Sequence, residues 1–108
     1  MAAPRQDETI AGGLSNRMAL PAGLTAKAMI DLYRTMVLLR KFDLAAQVAC
    51  RTGETPGFLH LYIGQEATAT GVCAHLTQSD WVTSTHRGHG HALAKGMDPR
   101  VLMAELYG

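Results

Sequence analysis

The sequence predicts a mostly helical protein with one or two strands, and three observations support this prediction. Residues 25–51 form a long amphipathic segment, and residues 81–85 form a short segment rich in β-branched side chains. The turn that follows this segment opens a further helix. With 108 residues, the chain has the length of one small domain or of part of one.

Residues 1–24 are predicted to be a flexible lead-in, and residues 25–108 a single domain. The lead-in lacks the apolar core of a secretory signal, and Asp7 and Glu8 are not typical of a transit peptide. No segment approaches the roughly 18 consecutive apolar residues of a membrane span. The sequence therefore predicts a soluble, cytoplasmic protein that does not act at a membrane.

The first predicted helix covers residues 25–51, with Thr25 as its N-cap and Gly53 as its C-terminal stop. Its apolar residues recur every three or four positions, which places them on one helical face. They are Met29, Leu32, Tyr33, Met36, Leu39, Phe42, Ala46 and Ala49.

Two helices and a strand are predicted further along. Residues 65–76 are expected to form a buried helix that packs closely through its small residues at positions 67, 68, 71 and 72. Residues 81–85 are the best strand candidate. A short helix is predicted at residues 92–95, and Asp98 followed by Pro99 predicts the start of a last helix that ends at residue 107.

Charge and cysteine content exclude some functions. Ten Lys and Arg residues against nine Asp and Glu residues give a net charge of +1, which provides no field for holding nucleic acid. Cys50 and Cys73 do not form a C-x-x-C pair and are interpreted as free thiols in a reducing compartment.

The block His86-Arg87-Gly88-His89-Gly90-His91 is where chemistry is expected. A turn between a strand and a helix can bind an anion such as phosphate, with Arg87 as a planar charged donor and His86 as a second donor. The spacing matches no P-loop. A metal site built from the three histidines, and histidines that are merely hydrogen-bonded in a turn, both remain open alternatives.

His60 lies in an apolar run, between Phe58-Leu59 and Leu61-Tyr62. A histidine in such surroundings is often a hydrogen-bonded core residue. Partial burial would also disfavour its charged form, which is one way in which proteins tune an acid or base for neutral pH.

Two motifs together carry a resemblance to a known family. The motif G-F-x-H-L-Y-x-G-Q-E-A begins at Gly57, and the block T-H-R-G-H-G-H begins at Thr85. From about Ile30 to Gly108, the chain resembles the amino-terminal part of the alpha subunit of the thiamine-diphosphate-dependent dehydrogenase component of 2-oxo acid and acetoin dehydrogenase complexes.

The resemblance implies an α/β, thiamine-diphosphate-binding fold, in which helices flank a parallel sheet. It implies oxidative cleavage of acetoin, or oxidative decarboxylation of a 2-oxo acid such as pyruvate, with the acyl group passed to a lipoyl carrier. The alpha subunit would hold the cofactor diphosphate, and a beta subunit would cover the rest of the cofactor. The expected partners are therefore this beta subunit, a lipoyl-bearing acyltransferase and a small-molecule substrate.

The resemblance also implies roles for particular residues. Arg87 matches the arginine that binds the diphosphate, and His86 stands beside it where many pyruvate-type relatives have tyrosine, which favours the acetoin branch. His60 matches a histidine that faces the substrate near the reactive carbon, with Phe58 lining the pocket. His89 matches a second, less widespread catalytic histidine.

The family's magnesium-binding Gly-Asp-Gly motif and its later Asn do not occur in this sequence. The resemblance therefore implies that the Mg²⁺ ligands lie beyond Gly108, and that this chain alone is inactive. The alternative reading is a non-catalytic module, either histidine-rich and metal-binding or a helical interaction domain.

Overall fold

The computed structural model describes residues 23–108, which form four helices. They are α1 (Ala26–Arg51), α2 (Glu66–Cys73), α3 (Gly88–Ala94) and α4 (Pro99–Tyr107). All but the last two residues of the predicted lead-in lie outside the described range. None of the helices in that range is long and apolar enough to cross a membrane.

The boundaries of α1 confirm the sequence prediction, because both of its ends are capped. The Thr25 hydroxyl accepts a hydrogen bond from the Ala28 amide at 3.1 Å. At the other end, Gly53 has a φ of +76°, which glycine adopts without strain. The Gly53 amide then donates to Cys50 at 3.2 Å and the Glu54 amide to Ala49 at 2.9 Å. This pair of bonds is a Schellman motif, which closes the helix.

The predicted apolar face of α1 is buried only in its second half. Leu39, Phe42, Ala46 and Ala49 are buried, whereas Met29 and Tyr33 are exposed. The reason is geometric, since α2 and α3 pack against α1 and are too short to cover all of it. The first half of α1 therefore presents apolar side chains that no other described residue covers.

The core lies where α1, α2 and α3 meet, with one contribution from α4. Its buried members are Leu39, Phe42, Ala46, Tyr62, Ala69, Leu93 and Leu102. Each large apolar side chain contributes about 1.5–3 kcal/mol when fully buried.

The packing face predicted for α2 is wrong. Residues 67, 68, 71 and 72 are exposed, and Ala69, Thr70 and Cys73 are buried instead.

Residues 81–85 do not form the predicted strand, and no strand occurs within residues 23–108. Trp81 is 95% exposed, and these residues make no backbone hydrogen bond to the rest of the described chain. A strand requires a neighbour that completes its hydrogen-bonded ladder, and the described residues offer none. Of the predicted α/β architecture, this part of the chain thus contains only helices.

The last two helices test the remaining predictions. Helix α3 begins at Gly88, so it includes most of the histidine block that was predicted to precede a helix at residues 92–95. Helix α4 begins as predicted, with Asp98 accepting a hydrogen bond from the Arg100 amide at 2.8 Å and Pro99 in the first turn.

Candidate active site

The two motifs of the sequence meet in space. The Arg87 side chain reaches from the start of α3 to the loop before α2, where its Nε donates to the Leu61 carbonyl at 2.8 Å. The rings of His60 and His86 then lie edge to face, with centroids 4.7 Å apart. Residues separated by 26 positions are thereby placed side by side at one surface.

Three of the five predicted site residues, His60, His86 and Arg87, meet at this junction and form what we call the outer side. His60 and His86 are exposed and Arg87 is half-buried. A guanidinium has no acceptor atom, so the 3.2 Å contact between Arg87 Nη1 and His86 Nε2 is a hydrogen bond that the arginine donates. The outer side therefore carries a fixed cation and two imidazoles, and Phe58, two positions before His60, is 99% exposed.

His89, the fifth predicted site residue, points the other way. It is buried between Phe42 and Tyr62, with ring centroids 6.2 Å from each. Its Nε2 lies 2.9 Å from Oδ1 of Asp43, an α1 carboxylate that is itself 1% exposed. The structure thus does not bring His89 into contact with His60, His86 or Phe58, and it pairs His89 with a buried acid.

One peptide group joins the two sides. The Leu61 carbonyl accepts from Arg87 Nε, and the Tyr62 amide of the same peptide donates to Asp43 Oδ2. Charged groups that bond both ends of a peptide polarise it and strengthen both hydrogen bonds. Because His60 immediately precedes this peptide, the clamp formed by Asp43 and Arg87 fixes the backbone that carries the predicted substrate-facing histidine.

The Tyr62 ring completes the inner side. It is 2% exposed and lies under Gly90, where a Cβ atom would come within 2.3 Å of ring carbon Cδ2. Its hydroxyl is hydrogen-bonded to His91 Nε2 at 3.0 Å, and His91 Nδ1 is bonded to the Ser84 hydroxyl at 2.5 Å. Burial raises the pKa of the Tyr62 hydroxyl above its ordinary value. His91 therefore has a bridging role between two hydroxyl groups.

A second buried acid secures the loop at its other end. Glu66, the first residue of α2, accepts from Arg40 Nε at 2.5 Å and from the Gly64 amide at 3.0 Å. The hydrogen bond from the Arg40 guanidinium is the main cause that lowers the pKa of the Glu66 carboxyl group. Gly64 has a φ of +92°, which suits glycine, so this turn is fixed by both its conformation and its charge.

Sequence reasoning missed Asp43, Tyr62 and Glu66, although one signal was present. Asp43 follows Leu39 by four positions and precedes Ala46 by three, which places an acid on the buried face of α1. A charged residue is almost never fully buried without a partner, so the position of Asp43 predicts a hydrogen-bonding or charged partner in the core. The partners themselves are distant in sequence and had no local signature.

The metal-binding alternative gains no support from this geometry. Among the described residues, no group of three or more His, Cys, Asp or Glu side chains is arranged to hold a metal ion. His86, His89 and His91 are adjacent in sequence but contact Arg87, Asp43 and Tyr62, respectively. Both cysteines are free, and burial raises the pKa of the Cys73 thiol.

The chain belongs to the dehydrogenase E1 component family, whose family model matches residues 33–108. The matched region contains both motifs, the Asp43 and Arg87 clamp, and all five predicted site residues. No solved structure matches the chain significantly.

Among curated proteins, the chain is similar to two alpha subunits of acetoin:2,6-dichlorophenolindophenol oxidoreductase. It is 46% identical to the Cupriavidus necator protein over 90 residues, and 48% identical to the Bacillus subtilis protein over 85 residues. The matched regions cover 83% and 79% of this chain but 26% of each relative.

A third relative is the chloroplastic pyruvate dehydrogenase E1 component subunit alpha-3 of Arabidopsis thaliana. It is 49% identical over 86 residues, which are 79% of this chain and 20% of that protein. The chain thus spans about a quarter or less of the length of these relatives. It is similar to alpha subunits named for acetoin and to one named for pyruvate.

Proposed function

We propose that the chain is the amino-terminal part of an alpha subunit that binds thiamine diphosphate and cleaves acetoin or decarboxylates a 2-oxo acid. The observation that carries this proposal is the junction of the two motifs, where Arg87 joins the loop after His60 to the turn after His86. Membership of the dehydrogenase E1 component family supports it independently.

The residues at this junction fit the diphosphate of the cofactor. Arg87 donates a hydrogen bond from Nε to Leu61 and another from Nη1 to His86, while its Nη2 makes no hydrogen bond to the described residues. Because His86 Nε2 accepts from the guanidinium, a neutral His86 carries its proton on Nδ1 and can donate it to an anion. One fixed cation and one adjacent imidazole donor form a suitable partial site for a dianionic group.

Each residue of the outer side, together with Phe58, then has a distinct task. Arg87 binds a diphosphate oxygen and His86 adds a second donor. His60 donates a proton to the substrate oxygen as negative charge develops on it, and Phe58 covers the pocket from water. When bound, thiamine diphosphate supplies the electron sink that carbon–carbon cleavage requires.

The proposal requires components that lie outside the described residues. A beta subunit would cover the remainder of the cofactor, and a lipoyl-bearing acyltransferase would receive the acyl group. The Mg²⁺ ligands would lie beyond Gly108, so this chain alone would show no turnover. A parallel sheet would supply the neighbours that residues 81–85 lack here. A cytoplasmic location also remains a prediction, since one of the relatives is named as chloroplastic.

Acetoin is the favoured substrate within this proposal. His86 occupies the position beside Arg87 where pyruvate-type relatives often have tyrosine, and a phenol cannot replace both nitrogens of an imidazole. Two of the relatives reported above are named for acetoin. The non-catalytic interaction module has no comparable observation in its favour.

The experiment uses the full-length alpha subunit assembled with its beta partner. Thiamine diphosphate binding is measured by calorimetry with Mg²⁺ present, for wild type, Arg87→Ala and Arg87→Lys. Loss of a charge-assisted hydrogen bond costs about 1.5–3 kcal/mol, so Arg87→Ala should weaken binding by about 10- to 100-fold. Arg87→Lys keeps the charge but not the planar guanidinium fork, so its affinity relative to Arg87→Ala reports the contribution of the charge.

Arg100→Ala is the matched control, because Arg100 lies in the first turn of α4 and its side chain is 89% exposed. It should bind thiamine diphosphate as wild type does. Unchanged affinity in Arg87→Ala would contradict the proposed diphosphate site. Turnover with acetoin and with pyruvate, measured with 2,6-dichlorophenolindophenol as electron acceptor, would identify the substrate.

A further inference from the structure

Asp43 and His89 form a buried acid–imidazole pair that the roles assigned to the outer side leave unexplained. The carboxylate is on α1 and the imidazole on α3, 46 positions apart in sequence. Asp43 is 1% exposed and His89 is 9% exposed. Burying a carboxylate is costly unless it is hydrogen-bonded, so the pair calls for an explanation beyond packing.

Hydrogen-bonding rules fix the direction of the contacts. An ionised carboxylate only accepts, and here Oδ2 accepts from the Tyr62 amide and Oδ1 accepts from His89 Nε2. The His89 proton therefore resides on Nε2. In a neutral ring this leaves Nδ1 without a proton, as an acceptor.

The environment of Nδ1 differs from that of Nε2. Nδ1 makes no hydrogen bond to any described residue. Within the described chain, the one fully buried side-chain N or O atom without a partner is Thr70 Oγ1, so Nδ1 is not sealed in the core. The small exposed part of His89 thus includes the nitrogen that carries a free lone pair.

From this geometry we propose that Asp43 is a positioning residue that holds His89 as the Nε2–H tautomer, so that Nδ1 is the nitrogen that exchanges a proton during the reaction. The proposal deepens the proposed function and rests on it for the reaction, while the tautomer assignment stands by itself. A buried carboxylate that orients a histidine and selects its tautomer is an established device in acid–base catalysis.

The clamp on residues 61 and 62 extends this role. The carboxylate that orients His89 also accepts a hydrogen bond from the Tyr62 amide. The carbonyl of the same peptide, that of Leu61, accepts a hydrogen bond from Arg87. Asp43 therefore links the position of His89 to the backbone that carries His60. A substitution at Asp43 should therefore alter turnover by changing the positions of both His60 and His89, although Asp43 itself contacts neither substrate nor cofactor.

The informative variant is Asp43→Asn, which preserves shape but replaces one acceptor oxygen by an amide donor. If the Asn oxygen keeps the Tyr62 amide, its NH₂ group faces His89 Nε2 and donates to it. The proton of His89 then moves to Nδ1. The matched control is Asp31→Asn, since Asp31 lies on the same helix and its side chain is 45% exposed.

The tautomer is read from the assembled enzyme labelled with ¹³C,¹⁵N-histidine. A solid-state carbon–nitrogen correlation identifies Nδ1 through its bond to Cγ, and His89→Gln assigns the signal. We expect an unprotonated Nδ1 in wild type and Asp31→Asn, and a protonated Nδ1 in Asp43→Asn. A protonated Nδ1 in wild type, or an unchanged tautomer in Asp43→Asn, would overturn the assignment. The wild-type result decides it even if the variant does not fold.

Turnover tests the second half of the proposal. Asp43→Asn should lower kcat by about 100-fold or more, the contribution of a positioned acid or base, with the KM and the thiamine diphosphate affinity unchanged. A shifted tautomer with wild-type kcat would overturn the role of Nδ1 in proton exchange. Absence of wild-type turnover with either acetoin or pyruvate would instead contradict the proposed function, and it would leave the tautomer measurement valid.

Discussion

The two ends of the block at residues 86–91 have different surroundings, one at the surface and the other against the core, and this difference separates residues that stabilise the fold from residues that do not. His86 and Arg87 precede α3 and present their side chains at the surface beside His60. His89, Gly90 and His91 belong to α3 and contact Asp43 and Tyr62 inside. The residue at which α3 begins therefore divides the block into a surface part and a part that packs on the core.

The inner side should be the more sensitive to substitution, and Asp43→Ala should show the largest effect. It leaves two donors in the core, the Tyr62 amide and His89 Nε2, without their acceptor, and each such unsatisfied group costs about 1–3 kcal/mol. Chemical denaturation of the full-length alpha subunit measures this loss. Asp31→Ala, on the exposed half of α1, should change the stability by about 0.5 kcal/mol or less. Equal effects of the two substitutions would refute the distinction.

Gly90→Ala should come next, because its Cβ would overlap the buried ring of Tyr62 at 2.3 Å. The clash involves ring carbons rather than the end of a flexible chain, so the cost should be about 1–3 kcal/mol. Gly88→Ala is the matched control, since its Cβ would meet only the side chain of Ser84, whose Oγ would lie at an ordinary 3.4 Å. Thermal midpoints of both variants check the contrast, and a stable Gly90→Ala protein would mean that Tyr62 does not lie under α3.

Tyr62→Phe should have the smallest effect on the inner side. It removes the hydroxyl that bonds to His91 and keeps the ring beneath Gly90, so about 0.5–1.5 kcal/mol should be lost. His91→Phe removes the other partner of the same bond. In a double-mutant cycle the two losses should be less than additive, and full additivity would show that the hydroxyl and the imidazole do not interact.

The ends of α1 and the start of α4 were predictable because their signals are local. Thr25, Gly53, Asp98 and Pro99 mark helix ends through capping groups that act within a few residues, and each was correctly predicted. The strand predicted at residues 81–85 does not form, because a strand also depends on a neighbouring strand and the described residues contain none.

The site predictions also depended on local signals. Arg87, His60 and His86 were predicted as site residues from the turn pattern, the apolar run and the family resemblance, and the structure brings these three residues together. The partner of His89 was not predicted, since Asp43 precedes it by 46 positions and no local sequence pattern links the two residues. The burial pattern of α1 pointed to an acid in the core, but only the fold shows what that acid holds.

The most direct test of the division between the two sides is the turnover of His60→Ala, measured in the assembled enzyme together with its thermal midpoint. His60 is exposed and contacts His86 at the surface, so its removal should change stability by about 0.5 kcal/mol or less. We expect turnover to fall by about 100-fold or more with the midpoint unchanged. A lowered midpoint, or turnover close to wild type, would contradict the assignment of the outer side to chemistry.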